Sequence, residues 1–181
     1  KPGDVNHDKD LLQLFVSFDS GNAVGEVVGS VMLQGIGWNY ASFTQVAIGP
    51  RELSVGDLNG DSMLDVVVSC TDSDAVSVLR GLADGSLAEP LQLLVGLEPA
   101  DIELIDYDND GDLDIAVIAT PLDSGVRAVS MYRNDTSNNG GNLMFARDTF
   151  YDAGANPVLI AKGDLDGDAH DDLVSITQAT S

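Results

Sequence analysis

Basic residues are scarce in this chain: eight lysines and arginines stand against thirty aspartates and glutamates in 181 residues, with two histidines, one cysteine and one tryptophan. Without a basic patch the chain is a poor match for nucleic acid or anionic lipid. The lone Cys70 cannot close an internal disulfide and has no Cys or His companions for a zinc site; in its apolar run it reads as a small buried hydrophobe. Both histidines, His7 and His170, fall inside acidic loops, and there is no Ser-His-Asp arrangement or nucleophile motif. No apolar run approaches the roughly 18 to 20 residues that span a bilayer, and no secretory h-region is visible. The first residue is Lys1 rather than Met, so a processed product, a fragment or a trimmed chain is expected. A hydrophobic content of 44% suffices for an ordinary core, and no segment is of low complexity.

Aspartate is plentiful, and it is ordered. Nine-residue segments place Asp57, Asn59, Asp61 and Asp65, then Asp106, Asp108, Asp110 and Asp114, then Asp164, Asp166, Asp168 and Asp172 at loop positions 1, 3, 5 and 9. Position 7 (Met63, Asp112, His170) is left to offer a main-chain carbonyl. Oxygen ligands at this density suit a hard cation that takes about six to eight of them, calcium before magnesium. An EF-hand would need a Glu at position 12 and a following helix; here position 12 is Val68, Val117 or Ser175, inside short β-branched runs that read as buried strands. The loops are therefore expected to join strand to strand. Position 4 is Gly60, Asn109 or Gly167, residue types that reach positive φ at low cost. A fourth copy at the N-terminus has Asp4, Asn6 and Asp8 in place and His7 at position 4, but Leu12 at position 9; it is expected to be weak unless Asp10 swings in.

Asp, Asn and Gly also mark ordinary turns. A turn, however, needs no carboxylate at a ninth position, still less in three agreeing copies. The formal charge is -22, and sixteen of the thirty acids lie inside the four loops. Such crowding of like charge is unfavourable without a counterion, so Ca2+ is the expected cofactor, at about three sites and a weak fourth.

The loops start at residues 4, 57, 106 and 164, a repeat of about fifty residues that points to propeller-like arrays. Each of the last three is preceded by Gly, Pro and an apolar strand, and followed by a buried strand, a polar turn and a third strand; Val76-Ser77-Val78-Leu79-Arg80 parallels Val129-Ser130-Met131-Tyr132-Arg133. Fourth strands are expected near 90–95 and 143–148. Four short strands per repeat without helical periodicity describe an all-β chain of antiparallel propeller blades. The expected divisions are 1–49 (strands 2 to 4, with the degenerate loop), 50–97, 98–155, and a partial blade of two strands at 156–181.

The stretches from Gly56-Asp57-Leu58-Asn59-Gly60-Asp61 to Val68 and from Lys162-Gly163-Asp164 to Val174 resemble the FG-GAP and VCBS-type repeats of integrin-α-like β-propellers, and Ala75 to Ala88 is similar to the remainder of such a repeat. The resemblance implies calcium in the hairpin between the first and second strands of each blade, a seven-bladed ring, and a location outside the cytoplasm. Departures are the acid missing from the first loop and a longer insert at 134–142. Three blades and a surplus fall short of a ring, so part of a larger propeller is expected, or open edges that pair with another chain.

The function expected on this basis is a calcium-stabilised, non-catalytic extracellular (or periplasmic or luminal) module for binding or adhesion, with a protein or glycan partner. Its recognition surface would lie opposite the metal hairpins, in the loops at 49–50, 70–75, 96–99, 119–126 and 154–157. Alternatives are an accessory subunit of a larger assembly and a non-catalytic part of a carbohydrate-active enzyme. Trp38 and Tyr40 offer either a sugar-stacking platform or turn packing, and Asn134-Asp135-Thr136 spells a glycosylation sequon in a polar turn.

Overall fold

The computed structural model describes residues 13–19, 28–34, 41–136 and 142–178. These form thirteen strands and one short 3-10 turn, Thr71–Ser73, with no α-helix among them. Strands β1 (Gln13–Asp19), β2 (Val28–Gln34) and β3 (Ala41–Gln45) make a first sheet; β4 (Pro50–Gly56), β5 (Asp65–Cys70), β6 (Ala75–Leu79) and β7 (Leu91–Leu94) a second. The third holds β8 (Ile102–Ile105), β9 (Asp114–Ala119), β10 (Ala128–Asn134) and β11 (Phe145–Tyr151), and the last pairs β12 (Pro157–Gly163) with β13 (Asp172–Thr177). Neighbours in sequence are neighbours in space, and every pairing is antiparallel. These are the up-and-down sheets of propeller blades.

The blades lean on one another through their first strands: β4 touches β8, and β8 touches β12. No closed ring forms among the described residues. In the second and third sheets the second strands are largely apolar because both of their faces are covered, whereas β13 of the last sheet leaves Val174 and Ile176 exposed. Every residue of β5 and of β9 is buried. Along β9 the side chains alternate, Ile115, Val117 and Ala119 packing with Val67, Val76 and Val78 of the second sheet, while Ala116 and Ile118 pack with Met131 and Ile160 on the other side. Along β5, Val67 joins the first of these clusters, and Val66, Val68 and Cys70 join a separate one with Val46 and Leu79. The period of two thus serves two cores at once, and a continuous run such as Val66-Val67-Val68 is what such a strand requires. Cys70 is fully buried, and burial pushes its thiol pKa up.

Polar side chains stitch the sheets together. The Ser69 hydroxyl accepts the Glu52 N–H at 3.0 Å and donates to the Ala100 carbonyl at 3.0 Å, and the Thr71 hydroxyl donates to the Pro99 carbonyl at 2.8 Å. One blade further on, the Asp101 carboxylate accepts the Ile160 N–H at 2.6 Å and Arg127 donates to the Pro157 carbonyl at 3.0 Å. Gly96 must be glycine on two counts: its φ is +107°, and a Cβ would stand 2.5 Å from the Thr120 carbonyl oxygen.

Candidate metal loops

Each acidic segment is the hairpin between the first and second strands of its sheet: 57–64 joins β4 to β5, 106–113 joins β8 to β9, and 164–171 joins β12 to β13. The hairpin is built around the position 1 carboxylate. Asp57 accepts the N–H groups of Gly60, Asp61 and Ser62 at 2.8, 3.2 and 2.7 Å. Asp106 accepts those of Asp110 and Gly111 at 3.1 and 3.0 Å, and Asp164 those of Gly167 and Ala169 at 2.7 and 3.0 Å. Position 4 takes positive φ in all three loops, at Gly60, Asn109 and Gly167. A second positive φ recurs at position 6, in Ser62, Gly111 and Ala169, which residue type does not reveal.

Three carboxylates meet in the second and third loops. Oxygens of Asp106, Asp108 and Asp114 lie within 4.8 Å of one another, as do those of Asp164, Asp166 and Asp172. In the first loop position 3 is Asn59, whose side-chain carbonyl accepts the Asp61 N–H at 3.0 Å and whose amide donates to Asp61 at 2.9 Å, so Asp57, Asp61 and Asp65 do not form such a triad. The position 5 carboxylates turn back on their own loops: Asp61, Asp110 and Asp168 accept the N–H of Met63, Asp112 and His170 at 2.8, 2.9 and 2.9 Å. The N-terminal residues Asp4, Asn6, His7, Asp8 and Asp10 lie outside the described residues, as do Trp38 and Tyr40.

The ninth-position aspartates do more than the spacing foretells. Asp65 and Asp114 are fully buried. Each splits its two oxygens between two main-chain donors: Asp65 accepts Leu58 N–H at 2.9 Å and Gly81 N–H at 2.8 Å, Asp114 accepts Tyr107 N–H at 3.1 Å and Asn134 N–H at 2.7 Å. The loop is thereby latched to the end of the third strand. Asp172 keeps only the equivalent of the first latch, from Leu165 N–H at 2.9 Å, since the last sheet has no third strand among the described residues. Burial raises the pKa of Asp65, against the pull of its two amides. Burial likewise pushes Asp114 up to about 6, with the amides of Asn134 and Tyr107 pulling down and the charges of Asp108 and Asp110 adding to the rise.

Sequence reasoning missed the partners of these latches. Gly81 follows the third strand of its sheet and Asn134 ends that of the next, and neither has a spacing relation to the loops that a motif could carry. Asn134, the first residue of the sequon, ends β10 and does not lie in an open turn. It is no exposed sequon: it is 1% exposed, its amide donates to the carbonyls of Leu58 and Leu113 at 2.8 and 2.9 Å, and Thr136 beside it is fully buried. A glycan on that nitrogen would take away one of its two N–H donors and has no room at so buried a site, so the motif carries no information about secretion.

The donor set fits a hard divalent cation. It is all oxygen, held on short loops anchored at both ends to paired strands, and no protein cation forms an ion pair with its clustered carboxylates. The four ion pairs of the described residues go to Glu98, Asp135, Asp123 and Asp171, none to the six clustered carboxylates. At the opposite end of the strands, the turns at 71–74 and 120–127 hold a different chemistry, with Asp74 accepting the Glu98 N–H at 3.0 Å, Arg127 3.8 Å from Glu98, and Arg147 paired to Asp123 at 2.9 Å. No helix among the described residues is long and apolar enough to cross a membrane.

Residues 57–117 match the family model of the FG-GAP-like repeat, a stretch that runs from the first described loop through the whole of the second and into β9. No curated protein matches the chain.

Proposed function

For an FG-GAP-type repeat protein built from antiparallel propeller-like blades, we propose the role of a calcium-clamped, non-catalytic binding module that works outside the cytoplasm. The observation that carries the calcium reading is the pair of three-carboxylate clusters, Asp106, Asp108 and Asp114 with Asp164, Asp166 and Asp172, each packed within 4.8 Å and without an ion pair to a protein cation. Asp57, Asn59, Asp61 and Asp65 would hold a third ion with an amide oxygen in place of one carboxylate. When bound, the ion supplies the positive charge that these hairpins lack and ties the first strand of a blade to its second.

Recognition then belongs to the other end of the blades, where the turns carry Asp74, Glu98, Asp123 and Arg127, a surface of mixed charge suited to a protein or glycan partner. The accessory-subunit reading draws on a separate observation: Leu159, Val174 and Ile176 of the last sheet are 49%, 43% and 57% exposed, an apolar strip of the kind that a partner chain covers.

The test is calcium titration with thermal melting. A site whose dissociation constant is a hundredfold below the calcium concentration adds about 2.7 kcal/mol. At roughly 2–4 °C per kcal/mol for a domain of this size, each filled loop raises the melting temperature by about 5–11 °C. About three ions bound, with a melt that climbs on calcium and falls on chelation, is the expected result; an unchanged melt and no binding would reduce the loops to turns.

A further inference from the structure

The side chain of Asn134 reaches both of the first two described loops. Its Nδ2 donates to the carbonyl of Leu58, position 2 of the first loop, at 2.8 Å, and to the carbonyl of Leu113, position 8 of the second, at 2.9 Å. Its Oδ1 accepts the Thr136 N–H at 3.0 Å, so both donors and the acceptor of the amide are engaged and its orientation is set. Its own N–H ends on Asp114, and the N–H of Leu58 ends on Asp65. A buried path of three hydrogen bonds therefore runs from the ninth-position carboxylate of one loop to that of the next, across the boundary between two sheets and between residues 76 apart in sequence, and a fourth bond ties the same amide to Leu113.

The neighbouring sheet shows that this link is a particular of one boundary and not a property of the repeat. The residue in the place of Asn134 is Gly81, which keeps the N–H bond to its own ninth-position Asp but has no side chain; a Cβ there would stand 2.3 Å from the Leu64 carbonyl oxygen. The third described loop, 164–172, has no equivalent residue among the described ones. We infer that Asn134 couples the two loops at 57–65 and 106–114 into a cooperative pair, a link that no described residue provides for the loop at 164–172. Any shift of Leu58 or Leu113 when one loop closes on an ion is transmitted through a rigid, fully bonded amide to the other, and the coupling must be reciprocal. This rests on the calcium reading above.

The experiment is a site-resolved calcium titration of the chain by amide NMR, with Gly60, Gly111 and Gly167 reporting the three loops. Asp108→Ala removes a ligand of the second loop at an exposed side chain. It should raise the calcium concentration at the Gly60 midpoint by about fivefold or more, leave Gly167 where it was, and Asp57→Ala should shift Gly111 by the same factor. In the Asn134→Ala background the Gly60 shift on adding Asp108→Ala should vanish; Asn134→Gly, the residue of the neighbouring sheet, serves if the alanine variant does not fold. A Gly60 midpoint indifferent to Asp108→Ala, or a shift that persists without the Asn134 side chain, overturns the inference. If none of the three glycines responds to calcium, it is the calcium reading that falls.

Discussion

Asp114→Asn should make the metal-free protein more stable, although it removes a ligand. The wild-type carboxylate is fully buried and its pKa is pushed from an ordinary 3.8 up to about 6, mainly by burial. That rise already includes the help of the Tyr107 and Asn134 amides, so it measures the net disadvantage of the ionised form. Two units at 1.36 kcal/mol each amount to about 3 kcal/mol at neutral pH. Asn carries no charge and escapes that cost, but its NH2 would face one of the two main-chain N–H groups and leave it unpaired, which takes back about 1–3 kcal/mol. The net gain is at most about 2 kcal/mol, so at roughly 2–4 °C per kcal/mol the variant should melt up to about 4–8 °C above wild type in chelator at pH 7.5. A raised folded-state pKa means stability that is present in full below 3.8 and lost as the pH climbs through about 6, so the gap should close on acidification towards pH 4. In saturating calcium the order should reverse, because the wild type alone gains the full binding energy of that loop. Melting curves of both proteins at the two pH values, with and without calcium, decide the matter. A variant that melts below wild type in chelator at pH 7.5 would show that the two amide bonds outweigh the buried charge, and would refute the reasoning.

Other outcomes follow from the packing. Ile115→Ala, at a fully buried site between the second and third sheets, should cost about 2–5 kcal/mol in denaturant unfolding, more than any exposed-loop substitution. Cys70 should resist thiol reagents in the native protein and react only as fast as the fold opens, since it is both buried and raised in pKa; rapid labelling under native conditions would place it at the surface instead. Expression in a glycosylating host should yield a chain whose mass shows no glycan at Asn134, while Thr136→Ala, which erases the sequon, should lower stability by about 1–3 kcal/mol because the buried Thr136 hydroxyl accepts the Met144 N–H at 3.0 Å.

Much of this architecture was legible before any coordinate. The Asp spacing located the three described hairpins, the β-branched runs after them located β5, β9 and β13, and Gly60, Asn109 and Gly167 marked the left-handed turn residue, because each of these is a local relation between neighbours along the chain. Local chemistry needs only local sequence: a tight loop around a cation must alternate its oxygens, and a strand buried on two faces must be apolar throughout. What tertiary structure alone decided is how the loops are held. That Asp65 and Asp114 are sealed by Gly81 and Asn134, that Asn134 spans two blades and is no glycan acceptor, and that Asp172 lacks such a seal among the described residues all depend on contacts between residues that are 16 to 76 positions apart. No periodicity encodes such pairs, since each is set by which sheet edge comes to lie over which loop once the blades have packed.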